Sequence, residues 1–456
     1  MEPPRSPIPK VGDAHYLEDA SDRTGKRPRT EQVIEIEGVA KHGLRLFPAD
    51  MLRKIGKCWP LPLPVIIRIG NFSLIAGALN VHKDAVITQI FKGRLLVRFL
   101  QQEGKHLKVF RFSEPFVPNI ASILGAQLKE LSLPNVTLAM EDQSGIFTAF
   151  QALEKVEVCV DNLYDEWVRY ELILLTKLRH LTLKVESPNV GIVNDVFKAY
   201  THLKSLNLRN IHLGSQAIKA IVELTRLEML SVRCDYFNVK YFSQLTHLTH
   251  LECEDKNEAT GIINPFFPHF LVPLTKLQTL RLSNCSLAND TIFSSLKRLR
   301  TLQISDSSID GTLTEGIGKT THLTDLDLSN NFAHAEETFI DAFQNLTLLT
   351  RLNLMHIRFD ADDDPDSATL LTNAISRLRN VRLLCLTLYV FEESVIKPLH
   401  QLSNLRSLEL NFKESRITDG TVLLPWQKII KLNFWNCIIE LGAISHLSMM
   451  KIRPYA

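Results

Sequence analysis

The chain has 456 residues, 45% hydrophobic and 22% charged, which is close to the globular average and enough to bury a core over most of the length. With 19 Gly and 20 Pro it is no fibrous or low-complexity protein. Its 52 basic and 50 acidic side chains nearly cancel, to +2, which argues against nucleic-acid binding by bulk electrostatics and leaves room for a local patch.

In chain order, residues 1–40 mix Pro and charged groups with few large apolar ones and read as a disordered tail. Lys26-Arg27-Pro28-Arg29 has the composition of a nuclear-import signal, and equally of a solvated charged tail. The stretch Val33-Ile34-Glu35-Ile36-Glu37 has the pattern of a strand that adds to a partner's sheet edge. Residues 1–20 hold no apolar stretch, so no secretory signal is read and the expected location is intracellular, cytoplasmic or nuclear. The most apolar run, Pro60 to Leu79, contains Pro62, Pro64, Arg68 and Asn71; it makes a poor span, and no membrane is expected. Seven cysteines (Cys58, Cys159, Cys234, Cys253, Cys285, Cys385, Cys437) are odd in number and none forms a CxxC pair. That excludes a disulfide framework, a RING-type zinc module and a thioredoxin-like motif, and fits a reducing compartment.

Residues 44–82 have a different character. Phe47-Pro48 is followed by Met51-Leu52, Ile55 and Trp59-Pro60, then by Val65, Ile66, Ile69 and Ser73. Met51, Leu52 and Ile55 fall on one face of a helix that starts at Pro48. This segment resembles an F-box, the motif that tethers a substrate receptor to the Skp-type adaptor of a cullin ubiquitin ligase. The resemblance implies a helical module over 44–95 that docks the adaptor through Pro48, Met51, Leu52, Ile55, Trp59, Ile66 and Ile69. Pro62, Pro64 and Gly56 depart from the pattern, and Ala78 and Leu79 stand near the place of the family's late Trp. The alternative is a plain helical cap that covers the apolar edge of the first downstream repeat.

From Leu107 the pattern apolar-x-x-apolar-x-apolar recurs: LKVFRF, LKELSL at Leu128, LEKVEV at Leu153, LRHLTL at Leu178, and so on to IIKLNF at Ile429, with a weak copy at Leu447. Thirteen steps from Leu107 to Ile429 give a mean period of about 25, within the range of leucine-rich repeats, which these residues resemble. The resemblance implies an α/β solenoid over 105–456, with 14–15 repeats, a curved parallel sheet and convex helices or turns. SQAIKAIVELTRL before Leu230 and DAFQNLTLL before Leu352 read as convex helices. The excess residues of two long repeats, 256–270 and 360–367, read as loops. The ninth position, the family's ladder site, holds Val136, Ile211, Cys285, Ser307, Asn331, Ile357 and Cys437.

The third, fifth and seventh residues of each repeat line the concave face. Lys184, Arg209 and Arg233 form a basic column there, extended by Arg281 and interrupted by Glu252 and Glu254. Such a column suits an acidic or phosphorylated peptide, or it is surface charge paired with nearby Glu. Asp325 and Asp327 come next, and Met355, Asn433 and Trp435 end the face, with Trp435 read either as an exposed contact residue or as packed under the C-terminal segment 440–456.

Chemistry is sparse. Gly316-Ile317-Gly318-Lys319-Thr320 resembles a phosphate loop but has Leu313 where the first Gly belongs, and reads as a loop. His247 and His250 lack further ligands at zinc spacing, and the aspartates of 360–366 lack the Gly and terminal Glu of a calcium loop. No catalytic residue, metal, cofactor or nucleic-acid partner is expected. The expected function is the substrate-recognition subunit of a cullin ubiquitin ligase, binding an unknown protein; the alternative is a non-enzymatic repeat scaffold.

Overall fold

The computed structural model describes residues 124–138, 146–160, 166–190, 194–234, 240–254, 268–284, 286–287, 290–333, 336–359, 365–388, 392–417, 426 and 429–439, with short strands at 32–36, 65–69, 72–75, 86–88 and 109–111. From Glu130–Leu138 onward, strands Lys155–Val160, His180–Val190, Ser205–Leu213, Met229–Cys234, His250–Glu254 and Thr279–Ser283 pair in parallel, each with its predecessor in the chain. The order continues through Thr301–Ser305, Asp325–Asp327, Arg351–Leu354, Leu383–Leu388, Ser407–Ile417 and Lys431–Ile439.

The leucine spacing causes this stack. In a strand, alternate side chains share a face, so the fourth and sixth residues of each repeat point to one side. The fourth residues register one above another: Leu181, Leu206, Leu230, Leu251, Leu280, Leu302, Leu326, Leu352, Leu384, Leu408, Leu432. All are buried. One repeat leaves this row exposed on both sides, so each strand is stable only between neighbours. Burying a leucine is worth about 1.5–3 kcal/mol, and the row repeats that gain at every step.

The eighth residue of the repeat ends the strand or bends it. Asn210, Asn284, Asp306, Asn330, His356 and Asn436 all sit there with φ between 51° and 59°. That left-handed conformation is disfavoured for L-residues and best tolerated by Asn, Asp and His. Where the eighth residue is apolar (Val160, Val185, Leu388, Phe412), its side chain is buried as the next inward residue of the strand.

The chain returns through helices or 3₁₀ turns. One expected helix appears as Ser215–Val222; of the other, DAFQNLTLL, only Asp341–Phe343 is helical, as the end of Glu336–Phe343, and 344–349 form the turn into the next strand. In the first, Ala217, Ile218, Ala220, Ile221 and Val222 are buried. Two loop expectations are corrected. Residues 365–367 begin the helix Pro365–Ser376, with Pro365 at its start, where no backbone donor is needed. Gly316-Ile317-Gly318 lies in the helix Gly311–Gly318, capped by Asp310, whose carboxylate accepts from the Leu313 amide at 2.8 Å. Its glycine serves packing: a Cβ on Gly318 would meet Ala342 Cα at 3.0 Å.

The N-terminal strands extend the same sheet. Gln32–Ile36 pairs in parallel with Val65–Ile69, which pairs antiparallel with Phe72–Ile75, and that with Val86–Thr88. Val86–Thr88 pairs with Val109–Arg111, and that with Glu130–Leu138. Two expectations change. The segment around Val33–Ile36 is no disordered tail there, since it pairs within its own chain. Ile66 and Ile69 lie on a strand and not on the expected helix. The run Val65-Ile66-Ile67-Arg68-Ile69 is β-branched at four of five positions, which crowds a helix and suits a pleated sheet. Pro48, Met51, Leu52, Ile55 and Trp59 lie outside the described residues.

Candidate binding surface on the concave face

The third, fifth and seventh residues of each repeat stand on the open face of the sheet, concave in a repeat solenoid. Strands lie about 4.8 Å apart, so charges one strand apart can meet. Most do. Lys155 meets Glu130 at 2.8 Å, Arg233 meets Glu254 at 3.4 Å, Arg281 meets Glu252 at 3.8 Å and Arg351 meets Asp325 at 3.4 Å. Lys431 is paired with Glu409.

Lys184 and Arg209 differ. They face each other in register on adjacent strands, both exposed, and among the described residues neither has an ion-pair partner. Beside them in the middle column are Thr182 and Asn207, also in register. The Asn207 side-chain oxygen is buried and, among the described residues, accepts no hydrogen bond. An orphan acceptor of this kind is costly until a donor reaches it. Two free cations and one free acceptor therefore share a single patch.

The expected column breaks after Arg209. Asn210 turns left-handed, the register shifts, and Arg233 falls opposite His212 instead of Arg209. Arg281 belongs to the middle column, between Glu252 and Gln303, and not to the seventh-position column. Farther along, Asn433 is buried and donates to Glu409 Oε1 at 3.2 Å. Trp435 is half-buried, opposite Asn411, and the segment 440–456 lies outside the described residues. His356, Asn411 and Asn436 are hydrogen-bonded to one another there (3.3 and 2.8 Å). Sequence reasoning missed Asn207 and the eighth-position asparagines; the recurrence of Asn, Asp and His two residues past the last strand leucine was the available signal.

Electrostatics sharpen the contrast. Burial, helped by Lys155 beside His180 and by Arg281 near His250, lowers the pKa of both histidines, so near neutral pH they add no charge. Burial raises the Asp325 carboxyl, against the pull of Arg351. Burial also pushes the Cys385 thiol up to about 12 and the Cys437 thiol to about 11, which leaves both as poor nucleophiles. Among the described residues, no group of three His, Cys, Asp or Glu side chains could hold a metal ion.

A parallel sheet stacked in chain order on an unbroken, registered leucine row now stands beside the repeat period. The fold is a leucine-rich-repeat solenoid. No family model matches the chain. A stretch of 146 residues is 30% identical to Receptor like protein 22 of Arabidopsis thaliana, covering 30% of this chain and 18% of that one. Among solved structures, an internalin of Listeria monocytogenes is similar over 78% of this chain and 89% of its own, with TM-score 0.42 and 18% identity. A leucine-rich-repeat protein of Leptospira interrogans is similar over 80% of this chain and 99% of its own, with TM-score 0.46 and 16% identity. The ectodomain of a membrane receptor kinase of Arabidopsis thaliana matches over 81% and 46%, with TM-score 0.44 and 16% identity.

Proposed function

We propose that this leucine-rich-repeat protein is a non-enzymatic recognition module whose concave face holds an acidic or phosphorylated segment of a target protein at Lys184 and Arg209. The carrying observation is the pairing pattern: the other concave cations named above lie against carboxylates one strand away, and these two do not. A paired cation offers little to a ligand, because its charge is already matched. A free, adjacent Lys and Arg offer charge-assisted bonds, the Arg in a fork that fits carboxylate or phosphate. Asn207 beside them suits a backbone N–H of an extended segment.

The test is selection of peptides from a random library by the full chain and by K184E/R209E. The expected result is enrichment of peptides with Asp, Glu or phosphoserine, falling about 100-fold in the variant, from two charge-assisted bonds at roughly 1.5 kcal/mol each. Enrichment of uncharged peptides, or an unchanged profile in the variant, sinks the proposal.

A finer reading makes the chain the substrate-recognition subunit of a cullin ubiquitin ligase, with Phe47-Pro48, Met51, Leu52, Ile55 and Trp59 docking a Skp-type adaptor. It is supported by the order of motifs, a short apolar segment ahead of the repeats. Ile66 and Ile69, being in a strand that pairs within the chain, drop out of the docking set. Co-purification from cells checks it: adaptor and cullin should come down with the full chain and be lost with L52D/I55D. If neither comes down with the natural chain, it is a scaffold without the ligase.

A further inference from the structure

The turn that leads into each strand repeats one short sequence. Leu175-Thr176-Lys177-Leu178 is followed by Tyr200-Thr201-His202-Leu203, Leu224-Thr225-Arg226-Leu227 and Leu245-Thr246-His247-Leu248. Then come Leu274-Thr275-Lys276-Leu277, Leu296-Lys297-Arg298-Leu299 and Thr320-Thr321-His322-Leu323. In all seven the outer two residues are buried and the middle two exposed. Each turn is closed by the same bond, from the last residue's N–H to the first residue's carbonyl, at 2.9–3.1 Å. Identical turns project their third residue at the same place. One edge of the solenoid therefore carries a single row from Lys177 through His202, Arg226, His247, Lys276 and Arg298 to His322. At about 4.8 Å per strand the row is about 29 Å long.

The row presents donors almost without acceptors. Arg226 lies 3.0 Å from His202 Nδ1 and Lys276 3.1 Å from His247 Nδ1, so neighbouring members of the row are hydrogen-bonded to one another. The hydroxyls of Thr176, Thr201, Thr225, Thr246, Thr275 and Thr321 run alongside. In the adjoining second position Arg300 adds charge, while Lys204 is matched by Glu228 at 2.7 Å and Arg179 lies 3.9 Å from Glu154 at the row's first end. The row stops at Leu348, which occupies the same place in the next repeat and is 45% exposed.

We propose that this edge is a docking surface for an anionic lipid membrane, lying against its phosphate-bearing headgroups. The row is a ridge of turns and not a groove, so it suits a flat partner. Its pitch of about 4.8 Å matches neither the ~3.4 Å phosphate rise along one duplex strand nor the roughly 6.7 Å between same-face side chains of an extended peptide. Lipid headgroups diffuse and take up any pitch. A single nucleic-acid strand would need aromatic platforms, and the exposed turn positions hold no Phe, Tyr or Trp. Surface docking requires no spanning segment, and among the described residues no helix is long and apolar enough to cross a membrane.

Sedimentation of the full chain with vesicles tests this. Phosphatidylcholine vesicles should leave it in solution, and vesicles with added phosphatidylserine should carry it down, less so as salt rises. Each cation near such a surface contributes roughly fivefold in affinity, so R226Q/K276Q/R298Q should bind about 100-fold more weakly. These side chains are exposed in turns, and R226K/K276R/R298K, which keeps the charge, should bind as the natural chain does. The concave variant K184E/R209E should also bind vesicles normally, which separates this surface from the peptide site. Equal sedimentation with neutral vesicles, or undiminished binding by the Gln variant, overturns the proposal. So does tighter capture by single-stranded RNA or by polyglutamate, which would give the ridge to a nucleic acid or an acidic protein.

Discussion

Asn331→Leu is expected to lower the stability of the central repeats by about 3–5 kcal/mol. Asn331 is the ladder residue of its repeat and only 2% exposed. Its amide nitrogen donates to the Ile304 carbonyl at 2.6 Å and to the Leu328 carbonyl at 2.7 Å, and its oxygen accepts from the Ser307 amide at 2.9 Å. Leu328 and Ser307 lie just past the ends of their strands, and Ile304, still within Thr301–Ser305, is past the last residue that pairs with Asp325–Asp327. Leu has the branched outline of Asn and takes a partner from two buried carbonyls and the part-buried Ser307 amide, each loss costing roughly 1–3 kcal/mol, partly offset by the added apolar area. Hydrogen exchange should show the Ser307 amide losing protection while the strand amides of distant repeats, such as Leu206, keep theirs, because a solenoid couples mainly nearest neighbours. An unchanged denaturation midpoint with Ser307 still protected would refute this account.

Tyr200→Ala should cost a similar amount, about 3–5 kcal/mol, and Tyr200→Phe only about 1 kcal/mol. Tyr200 stands where neighbouring repeats have Leu175 and Leu224, and its ring is fully buried. Its hydroxyl donates to the Leu172 carbonyl at 2.8 Å, at the end of the preceding helix Glu166–Ile173. Burial raises the phenol above its ordinary pKa, so the group stays neutral and the bond persists across the whole working pH range. Ala leaves a cavity and takes one of two donors from the Leu172 carbonyl, which keeps the Leu175 amide at 3.0 Å; Phe removes only that one bond. Urea denaturation of the two variants separates packing from hydrogen bonding, and equal losses would show that the hydroxyl, not the ring, dominates.

The helical and strand readings of the repeats succeeded where a local pattern has one structural answer. SQAIKAIVELTRL carries its apolar residues at helical spacing, and Ser215–Val222 is a helix. The run Val65–Ile69 went the other way, since a family resemblance suggested a helix while four β-branched residues of five favour a strand. The glycines of 316–318 show the same limit: their spacing makes a weak phosphate-loop pattern, and only the approach of Ala342 explains Gly318.

The solenoid is written in the chain itself, because a three-leucine strand every 25 residues or so can bury its apolar edge only against copies of itself. So is the set of residues that reach the concave face, since strand alternation is strictly local. Which of those residues remain available to bind is settled by packing in three dimensions. Arg233 and Arg281 look like Lys184 and Arg209 in sequence, yet register sets the first two against Glu254 and Glu252 and leaves the second two facing each other. A charge is silenced by a neighbour about 4.8 Å away through space, and that neighbour lies a full repeat away along the chain.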